Sequence, residues 1–324
     1  LIEAANEFEE ILPEEIRKER QFPKKSDAIK AVHFPENSEN LEQARKMLAF
    51  EELFILQLKA LQQKKKWEAL RGAVGMPLDA ELMKAFQASL PFELTGAQKI
   101  CLYQILKDCE KPHPMLRLLE GDVGSGKTVV AAMAMLQFLK KGYQCAVMAP
   151  TEILTKQHFD TLKRLLPGFS TELLVGSRTE KEKQDIRKAI SQNKVQLIIG
   201  THALIEEPVN FPNLAFAVID EQHRFGVVQR AELLKKSTGH VPHLLMMSAT
   251  PIPRTLALTI YGDQELSIID EMPPGRKSVI TRVVPPEKRP QANRFIDEHI
   301  HRGLQVFVIC PLIDDSDMLG ITSV

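Results

Sequence analysis

A glycine-rich segment carries the clearest chemical signal in the sequence. Residues 121–128 read Gly-Asp-Val-Gly-Ser-Gly-Lys-Thr and match the phosphate-loop pattern G-x-x-x-x-G-K-[ST]. Glycines let successive backbone N–H groups surround a phosphate, and the N-terminus of a following helix adds positive potential. A plain glycine turn between a strand and a helix is the alternative interpretation. The predicted ATP-binding residues of this loop are Gly121, Asp122, Val123, Gly124, Ser125, Gly126, Lys127 and Thr128.

Two residues of the loop and two carboxylates farther along the chain could complete a nucleotide site. Lys127 is expected to neutralise the β- and γ-phosphates of ATP, and the Thr128 hydroxyl to coordinate Mg²⁺. An apolar run ends in Asp220, the predicted second Mg²⁺ partner, and Glu221, the predicted general base. Taken alone, an Asp-Glu pair after a strand is more often a solvated strand end. The predicted catalytic residues are Lys127, Asp220 and Glu221.

These groups need a scaffold, and the sequence from Met115 onward has the pattern of one. Short apolar segments alternate with helical stretches, which indicates an α/β fold with a parallel sheet flanked by helices. Ligands of such sheets bind at the carboxyl ends of the strands. The candidate strands are residues 116–119, 144–148, 172–175, 196–199, 215–219 and 244–247.

The sequence on either side of this α/β region has a different pattern. Residues 1–75 are rich in Glu, Lys, Gln and Leu, and apolar positions spaced by three or four predict one or two amphipathic helices there. Lys64-Lys65-Lys66 could lie on a solvated helix face or touch DNA. Pro273-Pro274-Gly275 predicts a linker, followed by the β, α and β elements that would begin another domain, at residues 279–284, 291–301 and 305–309. The predicted domains are residues 1–75, 76–272 and 273–324.

Composition limits the class of protein. Lys plus Arg and Asp plus Glu number 42 each, so the chain lacks the basic excess typical of nucleic-acid-binding proteins. A protein can nevertheless hold nucleic-acid phosphates through backbone amides and a few hydroxyls. The four cysteines have no metal-ligand spacing, which argues against zinc and disulfides. The longest nearly apolar run, residues 129–139, is too short to cross a bilayer, and no secretory signal is visible, so we expect a soluble, cytoplasmic protein without membrane contact.

Two further segments make the sequence resemble a known family. Asp220-Glu221-Gln222-His223 and residues 248–256, which read Ser-Ala-Thr-Pro-Ile-Pro-Arg-Thr-Leu, are similar to motifs of superfamily-2 helicases and, within them, of the RecG family. This resemblance covers nearly the whole chain. It implies a RecA-like lobe of an ATP-dependent DNA helicase that remodels stalled replication forks and four-way Holliday junctions in recombination and repair. It further implies a monomeric protein of the bacterial nucleoid.

The resemblance also implies roles for individual residues. Gln98, in Leu-Thr-Gly-Ala-Gln at 94–98, is expected to read the adenine base. Residues 149–154 and 200–204 resemble segments that hold one nucleic-acid strand through phosphate and sugar contacts. An ordinary N-cap at position 151 and structural histidines at positions 202 and 223 stay open as alternatives. The implied DNA-binding residues are Thr151, Glu152, Thr201 and His202, and the implied residues coupling ATP to strand movement are His223, Ser248, Thr250 and Arg254.

Parts of the family's architecture are not recognisable in the sequence. Residues 305–312 resemble the first motif of the second motor lobe, but its later arginine-rich motif and the OB-type wedge domain that splits the fork are not found. The expectation is therefore a helical connector, one ATP-binding lobe and an incomplete second RecA-like lobe, in a fragment or a truncated gene product. Because an arginine at the γ-phosphate can raise phosphoryl-transfer rates by several powers of ten, the chain is expected to bind MgATP but to hydrolyse it poorly.

Three other functions stay open on the sequence alone. A transcription-repair-coupling translocase acting on double-stranded DNA shares the general plan and a phosphate loop that begins Gly-Asp-Val-Gly. A P-loop kinase or transporter ATPase acting on a small molecule would not need the segments at 220–223 and 248–250. A non-catalytic, ATP-dependent binding module is compatible with the missing lobe.

Overall fold

The structure is a computed structural model that describes residues 4–201, 204, 208–221, 232–233, 236–249, 262–274 and 279–309. The chain divides into two compact units, Leu1–Pro274 and Gly275–Val324. This division falls within the Pro273-Pro274-Gly275 cluster where the sequence predicts a linker. The predicted boundary near residue 75 lies inside the first unit and stays a prediction.

A parallel sheet of seven strands forms the centre of the first unit. The strands are β1 (Leu116–Gly121), β2 (Gln144–Met148), β3 (Thr171–Leu174), β4 (Leu197–Gly200), β5 (Leu214–Asp220), β6 (His243–Ser248) and β7 (Glu265–Ile269). Their order across the sheet is β3-β4-β2-β5-β6-β1-β7. The first six strands follow the predicted segments closely, because strands buried on both faces have nearly continuous apolar sequences.

Strand β7 was not predicted. It pairs with β1, and its burial is irregular: Glu265 and Ile268 are exposed, whereas Ser267 and Ile269 are buried. A polar residue at one of the inward positions removes the apolar signal. The strand is therefore recognisable in the structure but not in the sequence.

The described residues contain nine α-helices with clear bounds. They are α1 (Glu14–Glu19), α2 (Lys25–His33), α3 (Ser38–Glu68), α4 (Ala80–Ser89), α5 (Gly96–Cys109), α6 (Lys127–Lys140), α7 (Glu152–Leu165), α8 (Glu180–Ser191) and, in the second unit, α9 (Arg289–His301). Short 3₁₀ helices lie at Ala4–Glu7 and Pro286–Lys288.

Helices cover both faces of the sheet. Helices α4 to α7 pack on one face, and α8 packs on the other. The apolar run at 129–139 is the buried centre of α6, where Phe138 packs against Phe216 with ring centroids 5.2 Å apart. Among the described residues, no helix is long and apolar enough to cross a membrane.

The long helix α3 lies within residues 1–75, where the sequence predicts amphipathic helices. It begins after Asn37, whose side chain accepts a hydrogen bond from the Asn40 N–H at 2.7 Å. Near its start, Ala44 and Met47 belong to a small core shared with α2. At its other end, the Trp67 indole N–H donates to the Pro114 carbonyl at 2.8 Å.

The lysine run near the end of α3 makes a contact that neither sequence interpretation included. The Lys64 ammonium lies 2.6 Å from the Glu265 carboxylate of β7. This ion pair joins α3 to the outer strand of the sheet. Lys64 thus makes a structural ion pair and is not a purely solvated side chain.

The second unit confirms the predicted helix and corrects the two predicted strands. Helix α9 covers the predicted helical residues. Residues 279–285 and 304–309 form no strand pairs, and Val283 and Ile309 are 95% and 92% exposed. A strand needs a neighbour to satisfy its backbone groups. The described residues of this unit offer none, so the apolar pattern alone gave a wrong prediction.

Candidate nucleotide site at the carboxyl edge of the sheet

The motifs predicted to act together lie at one edge of the sheet, where its strands end; we call this the carboxyl edge. Neighbouring strands are parallel and in register, so Glu120 of β1 pairs with Ser248 of β6, and Met247 pairs with Asp220 of β5. The phosphate loop follows β1, and the carboxylate pair closes β5. Ligands of parallel sheets bind at this edge.

The phosphate loop joins β1 to α6 through two left-handed glycines. Gly124 and Gly126 have φ angles of +83° and +89°, which glycine adopts without a Cβ penalty. A Cβ on Gly126 would collide with the side-chain nitrogen of Gln98. Helix α6 has no side-chain N-cap, so its first N–H groups have no side-chain acceptor. Such a helix start is suited to bind a phosphate.

Lys127 begins α6 and folds its side chain back along the loop. Its ammonium donates to the carbonyls of Gly121 and Asp122 at 2.5 and 3.1 Å. Burial lowers the pKa of Lys127, and the nearby carboxylates of Asp220 and Glu221 oppose that shift. The ammonium therefore lies within the field of the carboxylate pair, where a phosphate could replace its carbonyl contacts with stronger, charge-assisted hydrogen bonds.

Asp220, the last residue of β5, is held at both of its carboxylate oxygens. Its Oδ1 accepts from the Glu221 N–H at 3.0 Å, and its Oδ2 lies 2.7 Å from Nε2 of His158. Glu221 follows with φ +55°, a left-handed conformation that is rare for a residue other than glycine. Unfavourable backbone of this kind clusters at functional sites.

The donor groups of this edge suit a nucleoside triphosphate with Mg²⁺. The Ser125 hydroxyl inside the loop is buried, and it has no hydrogen-bond partner in the described part of the chain. A bound anion could accept a hydrogen bond from it. Thr128 and Asp220 supply a hydroxyl and a carboxylate oxygen, and Mg²⁺ typically combines one or two such protein ligands with substrate phosphates.

Gln98 uses both ends of its amide within the protein. Its oxygen accepts from the Thr95 N–H at 2.9 Å in a capping box, and its nitrogen donates to the Ser125 carbonyl at 2.7 Å. The side chain thereby joins the start of α5 to the phosphate loop. Its predicted role in reading adenine stays a prediction.

A surface cleft lies beside this capping box. It has a volume of about 630 Å³ and is lined by residues of α4, the following loop and the start of α5. Phe92 is 47% exposed and offers an aromatic face, while Lys99 and Glu93 add charge. A planar base could stack on such an aromatic face.

The segment after β2 begins α7, and its two predicted DNA-contact residues both make bonds within the protein. Thr151 is an N-cap whose side chain accepts from the Leu154 N–H at 3.3 Å. The Glu152 carboxylate accepts from the hydroxyl and N–H of Ser177 at 2.7 and 2.9 Å, and these bonds lower the pKa of Glu152. Because a carboxylate repels phosphate, Glu152 is better suited to hold the loop after β3 than to bind DNA directly.

The other predicted residues are only partly described. Ser248 is buried at the end of β6, and Thr201 is half-buried after β4, where its N–H donates to the Leu174 carbonyl at 3.4 Å. Their roles stay predictions. The residues that lie outside the described part of the chain are His202, His223, Thr250 and Arg254.

His158 is a site residue that was not predicted from the sequence. It lies on the buried face of α7, between Thr155 at 0% exposure and Leu162 at 1%, and is itself 9% exposed. The spacing of three and four places all three on one side of a helix. The sequence signal that could have indicated this residue is a histidine on an otherwise buried helix face, two turns after Thr151, which follows β2.

The opposite edge of the sheet, which we call the amino edge, carries a different set of buried polar groups. His243 of β6 accepts from the Met115 N–H at 3.0 Å and donates to the Val74 carbonyl at 2.9 Å. Burial lowers the pKa of His243 to about 4. Arg117 of β1 contacts Asp108 at 2.6 Å. These bonds connect the strands to α5 and to the segment between α3 and α4.

Comparison with known proteins gives consistent matches. The profile of the DEAD/DEAH box helicase family matches residues 95–259. The ATP-dependent DNA helicase RecG of Synechocystis sp. is 47% identical over 315 residues, which cover 96% of this chain and 37% of that protein. The enzyme of the same name from Streptococcus pneumoniae is 46% identical over 316 residues, covering 97% of this chain and 46% of that protein.

A solved structure of RecG bound to a three-way DNA junction superposes with a TM-score of 0.83 at 42% identity. The match covers 94% of this chain and 41% of that one. The chain thus spans less than half the length of these relatives.

Proposed function

The chain belongs to the DEAD/DEAH box helicase family, and on that premise we propose that it forms the ATP-binding lobe and helical connector of an ATP-dependent motor that remodels branched DNA. The observation that carries the proposal is the meeting of an uncapped helix start, Lys127 and the Asp220-Glu221 pair at one edge of a RecA-like sheet. Its similarity to RecG over nearly the whole chain supports the substrate class.

The loop and the carboxylate pair divide the nucleotide chemistry between them. The N–H groups at the start of α6 and the Lys127 ammonium bind the β- and γ-phosphates. Thr128 and Asp220 would hold Mg²⁺, and the ion would supply positive charge to the phosphates. Glu221 accepts a proton from the attacking water. Gln98 keeps the phosphate loop against α5 and lies beside the cleft proposed for the base.

The DNA-binding part of the proposal rests on helix and strand ends rather than on a basic surface. The chain has equal numbers of acidic and basic residues, so its net charge provides no overall attraction to DNA. The ends of β2 and β4 place Thr151 and Thr201 at the same edge as the nucleotide site. Hydroxyls and N–H groups there can contact phosphates without reading sequence. Ser248, which ends β6 between the strands that carry Asp220 and the phosphate loop, is the proposed coupling residue.

We infer a bacterial setting, which the relatives support because they come from bacteria. A motor of this kind acts on forks and four-way junctions in the nucleoid, within the cytoplasm. We expect it to work as a monomer, because one chain can bind a junction without a symmetric partner.

Unwinding of a synthetic replication fork by the natural gene product tests this function. The wild-type protein and a Glu221→Gln variant are compared on a fork and on a linear duplex of the same sequence. The wild-type protein should unwind the fork with ATP. The variant should bind ATP normally but unwind about 10²- to 10⁴-fold more slowly, as expected for loss of a general base.

Two outcomes would contradict the proposal in different ways. Equal activity on the fork and the linear duplex would exclude branched-DNA remodelling while leaving a DNA motor. Full activity of the Glu221→Gln variant would exclude the assigned catalytic base.

A further inference from the structure

The contact between His158 and Asp220 joins the proposed DNA-contact helix to the proposed metal site. His158 lies on α7, whose first turn carries Thr151 and Glu152. Its Nε2 is 2.7 Å from Oδ2 of Asp220, and both residues are buried. We propose, building on the motor function above, that His158 is a positioning residue that fixes the Asp220 carboxylate and links it to movements of α7.

The hydrogen-bond geometry defines what His158 does to the carboxylate. An ionised carboxylate can only accept hydrogen bonds, so Nε2 of the ring carries the hydrogen. The other oxygen of Asp220 accepts from the Glu221 N–H. With one bond on each oxygen, rotation of the carboxylate is restrained, and the remaining lone pairs are directed to one side. Partners of this kind orient metal ligands, and their loss typically weakens metal affinity or activity about 10- to 100-fold.

The position of His158 along α7 supplies the link to DNA. Seven residues of helix separate it from Thr151, a distance of about 10 Å. Thr155 lies between them on the same buried face, and its hydroxyl donates to the Thr151 carbonyl at 2.7 Å. The Glu152 carboxylate also holds Ser177 beside the first turn. A bound DNA strand that shifts the start of α7 therefore also moves His158, because a helix transmits displacement along its axis as a rigid body.

A purely structural histidine would behave differently, and the same sheet provides one. Both ring nitrogens of His243 bond to backbone groups at the amino edge. His158 instead contacts a side chain that the nucleotide chemistry uses. Replacing His243 should alter folding stability alone, whereas replacing His158 should alter the response of the site to Mg²⁺.

The test compares variants of the natural gene product by their Mg²⁺ dependence. In His158→Gln the amide nitrogen can reach the position of Nε2, whereas in His158→Asn it is too short to do so. Leu162→Met is the matched control, because it alters the same buried face of α7 one turn beyond His158, on the side opposite Thr151. Binding of a fluorescent ATP analogue is titrated with Mg²⁺, and ATP turnover is measured with and without fork DNA. Melting temperatures show that each variant is folded.

The expected result is a difference between the two polar replacements. His158→Asn should raise the half-saturating Mg²⁺ concentration and lower fork-stimulated kcat by about 10-fold or more. Its KM for ATP at saturating Mg²⁺ should stay within about threefold of the wild-type value. His158→Gln should recover most of both losses, and Leu162→Met should match the wild-type protein.

Equal behaviour of His158→Gln and His158→Asn would overturn the proposal, as would losses that follow melting temperature rather than Mg²⁺. The Mg²⁺ titration needs no DNA, so it tests the link to Asp220 separately from the motor function. If the wild-type protein showed no fork-stimulated turnover while His158→Asn still weakened Mg²⁺ binding, the motor function would fail and the positioning role would stand.

Discussion

The two edges of the sheet use buried polar groups in opposite ways. At the amino edge, His243 bonds to two backbone groups, and Arg117 bonds to Asp108 and Ser267. At the carboxyl edge, the Ser125 hydroxyl has no partner in the described residues, and α6 starts without a side-chain cap. The groups of the amino edge complete their bonds within the protein. At the carboxyl edge Gln98 and Asp220 do so too, but the phosphate loop beside them leaves donors for a ligand.

Folding stability and ligand binding therefore depend on different groups of this lobe. Polar groups that satisfy one another hold strands, α5 and the α3–α4 segment together, so their loss should affect folding. Groups left with donor capacity contribute little to folding and can bind an anion. Gln264, before β7, does not fit this division: its buried amide has no partner in the described residues, and nothing in the structure explains it.

The largest expected effect on stability comes from breaking the buried pair of the amino edge. Asp108→Asn removes the charge that faces Arg117, whose side chain is 8% exposed. The free energy of unfolding should fall by about 3 kcal/mol or more, because an uncompensated charge is left in the interior. Urea denaturation measures this. Lys111→Ala is the control: Lys111 also contacts Asp108 but is half exposed, so its loss should cost less than about 1 kcal/mol.

Acid should weaken the amino edge through His243. Folded His243 takes up a proton only near pH 4, whereas the unfolded residue does so near pH 6.5. The unfolded state therefore binds more protons in between, and stability falls as the pH drops through this window, by up to about 3 kcal/mol. Denaturation of the wild-type protein and a His243→Gln variant from pH 7 to 4 should show a shallower slope in the variant. Parallel slopes would mean that His243 contributes nothing to the pH dependence.

Alanine substitutions at two glycines with similar φ angles distinguish the effect of backbone strain from the effect of a steric clash. Gly126 in the phosphate loop and Gly142 after α6 have φ of +89° and +84°. A Cβ at Gly142 meets no atom within 4 Å, so Gly142→Ala should cost about 1 kcal/mol from backbone strain alone. Gly126→Ala should cost more and should also weaken ATP binding, because its Cβ would displace Gln98. If Gly126→Ala and Gly142→Ala had equal effects on stability and on ATP binding, the contact between Gln98 and the phosphate loop would have no functional importance.

The smallest effect is expected where α3 meets the outer strand. The Lys64–Glu265 pair is partly exposed, with 31% and 47% of the two side chains accessible. Lys64→Ala should lower stability by less than about 1 kcal/mol, and the difference should shrink in high salt. A larger loss that salt does not change would indicate that Lys64 acts through packing of its aliphatic stem rather than through the charge pair.

Much of this structure was predictable because its signals are local. Buried strands have continuous apolar sequences, and the phosphate loop needs glycine at particular positions, so six strands, α6 and the RecA-like fold were predicted correctly. The resemblance to RecG, based on the segments at 220–223 and 248–256, is also confirmed. Of the functions left open, the matches do not favour a small-molecule kinase or a transporter.

The features that could not be predicted from the sequence depend on contacts between residues far apart in the chain. The bond from His158 to Asp220 spans 62 positions, and the pairing of β7 with β1 spans more than a hundred. The wrongly predicted strands in the second unit show the same limit, because an apolar segment becomes a strand only beside a partner. The hydrogen bonds between Glu152 and Ser177 likewise form only because the fold brings two separate segments together.

One paired measurement tests the division between the two edges most directly. Affinity for a fluorescent MgATP analogue and melting temperature are determined for Lys127→Ala and Asp108→Asn at a temperature where both are folded. Lys127→Ala should lose affinity by about 100-fold, equivalent to roughly 3 kcal/mol, with a nearly unchanged melting temperature. Asp108→Asn should keep its affinity and melt at a lower temperature. Normal nucleotide binding by folded Lys127→Ala, or an equal loss of binding in both variants, would contradict the account.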